Sequence, residues 1–209
     1  MGYQENSEGK NVFWFCFKGH LAVGSSSQYI LQSLFSSGSL NDVKATIPLL
    51  KGLHERLSLK SIRYQKVGTG YDYEPIYQQV HRMGQQPIIT YHRRNEPLGF
   101  DKHFAPTSFR EHSYRYDSYY SKYKTLKYTR PKECCDCPLA QEGIWQKVFK
   151  MKTAKNLRKY TAPDRGSRVW KILFKKRTAV ERVNGYLKEY FQLNNIRYRQ
   201  QNAQKFILI

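Results

Sequence analysis

The chain has 209 residues and a mass of 24.8 kDa, enough for one sizeable domain or a domain with an insertion, and its 36 Lys+Arg against 16 Asp+Glu give a formal charge of +20. No apolar run approaches the roughly 20 residues of a membrane-spanning helix, which excludes an integral helical membrane protein, and the polar start MGYQENSEGK lacks the layout of a signal peptide, so the expected location is the cytoplasm. Four cysteines, three of them at Cys134, Cys135 and Cys137, make no secreted disulfide framework, and an aromatic content of 15% excludes a disordered basic tail.

In chain order, residues 12–23 (VFWFCFKGHLAV) are dense in aromatic and β-branched side chains and predict a strand, broken by Gly24 and three serines. Residues 28–34 return as the second strand of a hairpin. Asn41 and Asp42 then offer an N-cap to a helix in which Ile47, Leu50, Leu53 and Leu57 recur at helical spacing. Residues 61–67 predict a strand ending in Gly68-Thr69-Gly70. Asp72 is expected to cap a helix from about Tyr73, with Pro75 in its first turn and Gly84 at its end. Residues 87–91 form a short apolar strand. This order suggests a mixed sheet with helices packed on it.

From residue 92 to about 165 the regularity disappears. The stretch YRYDSYYSKYKTLKYTRPK interleaves Tyr with cations and predicts a β segment. Its rings either pack a small core of the insertion or stack on exposed bases while Arg115, Lys122, Lys124, Lys127 and Arg130 meet phosphates. One long helix is expected over residues 167–193, with Trp170, Leu173, Phe174, Val180, Val183, Leu187 and Phe191 as its apolar stripe. The residues after it could add one short element.

The charge is unevenly spread. Residues 1–91 hold 9 Lys/Arg and 6 Asp/Glu, residues 92–144 hold 10 and 7, and residues 145–209 hold 17 and 3. So one-sided a field favours a polyanion, and nucleic acid is the commonest one.

The most informative window is FKKRTAVERVNGYLK, residues 174–188. On a helix Arg177 and Glu181 form an i, i+4 pair, and Lys188 lies two turns beyond Glu181 on the same face. Such a group either holds a metal and phosphates or is an ordinary surface ion pair, worth about 0.3–0.5 kcal/mol. Cys134 and Cys137 have the spacing of half a zinc site, but a structural site needs four ligands, and reduced loop thiols are the simpler expectation.

The window resembles the Y-x2-R-x3-E-x6-K signature of bacterial insertion-sequence transposases of the DDE class, with Phe174 in place of Tyr. VGTGYDYEPIY at residues 67–77 is similar to the family's A-D-A-G-Y-D turn, and FKGHLAV at residues 17–23 resembles the strand that follows its first catalytic Asp. The three blocks stand in the family's order.

The resemblance implies an α/β, ribonuclease-H-like mixed sheet flanked by helices and interrupted by a mostly β insertion, with boundaries at residues 11–91, 92–165 and 166–209. It also implies DNA transposition through two Mg²⁺ ions held by two Asp and one Glu about 3.5–4 Å apart. Glu181 matches the Glu, with Arg177 and Lys188 as signature phosphate contacts. Lys171, Lys175, Lys176, Arg182, Arg197 and Arg199 are the expected contacts to the backbone of transposon-end DNA. Gly68 stands where the family has its second catalytic Asp, and the sequence is expected to begin after the first strand, so the N-terminus of the fold is incomplete. The expectation is a truncated, degenerate copy without cleavage activity, in which Mg²⁺ is not functionally bound and Glu181 is the one remaining acidic ligand. A DNA-binding regulator or competitor of full-length transposase, or a non-functional remnant, are the alternatives. A homodimer or the full-length transposase are possible protein partners, and a nucleoid-associated location follows.

Overall fold

A computed structural model describes residues 2–5, 9, 11–14, 17–57, 62–96, 101–108, 110–134 and 146–193. The chain divides into two compact units, one from residues 1–62 with 176–209 and one from residues 63–175. Among the described residues no helix is long and apolar enough to cross a membrane.

In the first unit β1 (Gly2–Glu5) pairs antiparallel with β2 (Asn11–Trp14), and β3 (Phe17–Val23) with β4 (Ile30–Ser37). The turn between β3 and β4 is closed by Gln28 N–H to Gly24 O at 2.8 Å and Gly24 N–H to Tyr29 O at 2.9 Å. Helix α1 (Asp42–Arg56) packs on this hairpin through Ala45, Leu49, Leu50 and Leu53. It starts where the sequence predicts, because Asn41 Oδ1 accepts from Val43 N–H at 2.8 Å and satisfies a first-turn donor. Helix α4 (Thr178–Tyr190) packs against β3 and buries Ala179 and Val183.

In the second unit β5 (Tyr64–Val67) and β6 (Gln86–Ile89) are parallel and joined by helix α2 (Glu74–Arg82). The helix buries Ile76, Tyr77 and Val80 and ends at Gly84, whose φ of +72° suits glycine. Strands β7 (Arg115–Tyr120), β8 (Thr125–Thr129) and β9 (Val148–Lys152) make an antiparallel sheet. Its inner face is a cluster of Tyr114, Leu126, Tyr128 and Ala162, with Tyr116, Tyr119, Phe149 and Met151 against it. Helix α3 (Arg168–Lys175) follows; the Ser167 hydroxyl accepts from Trp170 N–H at 3.1 Å and caps it. The fold is mixed α/β, with pairing among the described residues in four small sheets.

The single helix expected over residues 167–193 is two. Between α3 and α4 the bonds run from Ala179 N–H to Lys176 O and from Val180 N–H to Arg177 O, at three-residue spacing, which breaks the α-helical ladder. The apolar periodicity carries through the break because α3 buries Trp170 in one unit and α4 buries Val183 in the other. Phe191, expected on the stripe, is 65% exposed beyond the end of α4.

Asn41→Ala is expected to lower stability in urea unfolding by about 1 kcal/mol, since it removes the cap of the helix that covers the β3–β4 hairpin. An unchanged midpoint would contradict this account of α1.

Candidate functional site

Strand β5 leads directly into the turn that the resemblance marks for chemistry. Gly68 follows Val67 in extended backbone (φ −70°, ψ 173°), a conformation any residue adopts, and its carbonyl accepts from Tyr71 N–H at 3.1 Å to close a short 3₁₀ turn over Thr69–Tyr71. Nothing in that conformation requires glycine. The position offers no side-chain oxygen.

Four residues on, Asp72 is 2% exposed. The expectation that it caps α2 is incorrect: Tyr73 holds the N-cap position without a side-chain bond, and the Asp72 carboxylate turns inward. Its Oδ1 accepts from Tyr77 Oη at 2.7 Å, and its Oδ2 accepts from His92 N–H at 2.9 Å and from Arg158 Nη2 at 2.8 Å. Burial works to raise its pKa, but the bonds from Arg158, Tyr77 and the His92 amide outweigh it and hold the carboxyl below its ordinary value.

The network extends further. Arg165, 4% exposed, donates to Ile89 O at 3.0 Å, Lys159 O at 2.8 Å and Tyr77 Oη at 3.0 Å. The guanidinium groups of Arg158 and Arg165 lie 4.8 and 5.6 Å from the centre of the Tyr91 ring. Asp164 is held separately, accepting from Tyr128 Oη and Gly166 N–H, each at 2.8 Å; burial prevails there and its pKa is raised. Arg158 and Arg165 were invisible as site residues in the sequence, because 86 and 88 positions separate them from Asp72 and Tyr77 and no spacing rule links such distances.

Glu181 sits on an exposed face of α4, and its Oε1 is 2.5 Å from Arg177 Nη1, so the expected i, i+4 pair forms. Arg182 donates to Thr178 Oγ1 at 3.1 Å. Lys188 is exposed in the last turn of α4, Lys171 and Lys175 are exposed on α3, and Lys176 is exposed between the helices. Glu181 belongs to the first unit, Gly68 and Asp72 to the second. Arg197, Arg199 and Cys137 lie outside the described residues. Cys134 is buried, its thiol 3.2 Å from His112 Nδ1 and 3.9 Å from Ser108 Oγ. His112 stands 22 residues before Cys134, and only the fold places the two together.

Two divalent metals need several converging anionic oxygens. Gly68 supplies none, both oxygens of Asp72 are occupied by donors, and Glu181 faces a guanidinium. Among the described residues no three His, Cys, Asp or Glu side chains form a group able to hold a metal ion. Among the described residues, Gly68 and the occupied carboxylate of Asp72 do not supply the donors of a two-metal centre.

The family model described as the transposase DDE domain matches residues 2–209. The chain belongs to this family. No curated protein and no solved structure matches it. In this transposase DDE domain the turn after β5 has glycine at position 68, and the nearby Asp72 is built into a buried ion pair.

Asp72→Ala is expected to cost about 3 kcal/mol at pH 7, because it leaves the partly buried Arg158 cation without its partner. The folded pKa of Asp72 is depressed, so its stabilisation is fully present above the unfolded value of about 3.9 and is lost as pH falls through the lower folded value. The gap between wild type and Asp72→Ala should therefore narrow below about pH 4. Thermal melts from pH 2 to 7 check this, and a constant gap would contradict it.

Proposed function

We propose that this chain is a DNA-binding member of the transposase DDE-domain family that has lost strand cleavage and transfer. One observation carries the reading. Gly68 leaves the end of β5 without a ligand, and the nearest carboxylate, Asp72, is committed to Arg158, Tyr77 and the His92 amide. A single exposed carboxylate such as Glu181 attracts a hydrated cation but cannot clamp two.

In this reading the parts are ribonuclease-H-like: residues 11–91 supply the sheet, 92–165 the β insertion and 166–209 the helical part with Glu181. Arg177 and Lys188 retain a phosphate-contacting role, joined by Lys171, Lys175, Lys176, Arg182, Arg197 and Arg199. These contacts position DNA and carry no sequence information. The protein would act in the nucleoid as a competitor for transposon ends bound by a full-length transposase. The charge supports this second part of the reading, since 17 Lys/Arg against 3 Asp/Glu in residues 145–209 need no intact catalytic centre to bind DNA.

The test is incubation with supercoiled plasmid in Mg²⁺ or Mn²⁺, beside gel retention of terminal repeats. Retention without nicking is expected. Nicking by the wild-type chain that disappears in Glu181→Ala would overturn the proposal. That variant removes only a surface pair worth about 0.3–0.5 kcal/mol, so lost nicking could not be ascribed to unfolding.

A further inference from the structure

The three-stranded sheet β7–β8–β9 has two faces of opposite character. Alternation sends Tyr116, Tyr119, Leu126, Tyr128, Phe149 and Met151 inward. On the other face the register places Arg115 beside Thr129, Lys127 between Ser118 and Lys150, and Lys152 beside Thr125. Arg115, Lys150 and Lys152 are exposed. Asp117 is the carboxylate on this face, and it is taken by Lys127 Nζ at 2.8 Å. Among the described residues Arg115, Lys150 and Lys152 have no anionic partner.

Lys127 and Lys150 stand directly opposite each other across the β8–β9 ladder. Opposed residues hold their Cβ atoms about 4.5–5.5 Å apart, and like charges there are destabilising. Asp117 offsets Lys127 alone, so a polyanion laid across the face would supply the anionic partner that Arg115, Lys150 and Lys152 lack. The aromatic rings of the sheet point inward, except for Tyr120 and the turn residue Tyr123 at the hairpin end, which are 49% and 65% exposed. The middle of the face therefore offers charges without a platform for stacking unpaired bases, which favours the continuous backbone of a duplex over a single strand.

We propose that the outward face of β7–β8–β9, through Arg115, Lys127, Lys150 and Lys152, is a docking surface for the phosphate backbone of duplex DNA. The β9 lysines join the site through register alone, since 23 residues separate Lys127 from its opposite, Lys150. This inference rests on the DNA-binding reading above and adds a surface distinct from the cations of α3 and α4. Binding here is sequence-independent and holds the duplex by charge.

The test measures the affinity of the full chain for a random-sequence duplex as a function of salt. The variants are the wild type, the triple variant Arg115→Thr/Lys150→Thr/Lys152→Thr and the single variant Lys150→Thr. Each lost phosphate contact lowers the slope of log K against log salt by about 0.9, so the triple variant should lose about 2.7 and the single variant about 0.9. The melting temperature without DNA should stay unchanged or rise, because like charges are removed from a strand face and Thr suits a strand. A slope equal to wild type in both variants overturns the inference while leaving DNA binding by the helices intact. A wild-type chain that fails to retain duplex overturns the DNA-binding reading and this surface with it. A clear fall in melting temperature for Lys150→Thr assigns the face to stability and also contradicts it.

Discussion

The buried carboxylate of Asp72 is the constraint on which the second unit turns. It gathers four pieces of chain that are far apart in sequence: the exit of β5, the first turn of α2 through Tyr77, the exit of β6 through the His92 amide, and the loop that carries Arg158. A buried charge costs several kcal/mol to remove from water, and a buried pair survives only when hydrogen bonds satisfy what remains. Here both oxygens have donors, and Tyr77 passes the network on to Arg165, whose remaining N–H groups close on two backbone carbonyls. In the proposed reading, the same saturation that stabilises the unit keeps Asp72 from metal chemistry. A carboxylate holding Arg158, a phenol and an amide would have to abandon all three to bind a divalent cation.

Binding and chemistry depend on different physical requirements, and in the proposed reading this is how one outlasts the other. Two-metal catalysis needs several carboxylates converging within a few ångströms, so loss of a single ligand removes it. Attraction to a phosphate backbone is spread over many exposed cations, each contributing a small, interchangeable share. In the proposed reading the lysines and arginines of α3 and α4 and of the outer face of β7–β8–β9 are of this second kind.

Much of the local structure was legible in the sequence because it rests on near neighbours. Asn41 marks the start of α1, Gly84 the end of α2, and the spacing of Arg177 and Glu181 their pairing. The helix over 167–193 misled because apolar periodicity reports burial and not continuity: Trp170 and Val183 are buried in different units, and the ladder breaks between them. Asp72 misled for a related reason. An aspartate before a helix is a good N-cap on statistics, yet Arg158 offers a stronger, charged partner that only the tertiary fold brings near. Of the Tyr-rich insertion, Tyr116, Tyr119 and Tyr128 pack a core, whereas Tyr120 and Tyr123 stay exposed, a split decided by strand parity and by the bulge between Tyr116 and Ser118. His112 against Cys134, and Lys150 against Lys127, depend on pairings that no local pattern encodes.

The most direct test of the central claim is a Mn²⁺ titration of the full chain with duplex DNA present, following the loss of the free-ion electron paramagnetic resonance signal. With Gly68 empty of ligands and Asp72 locked to Arg158, the account predicts only weak, non-stoichiometric binding that is the same in wild type, Asp72→Asn and Glu181→Ala. Two ions taken up per chain, lost in either variant, would contradict it.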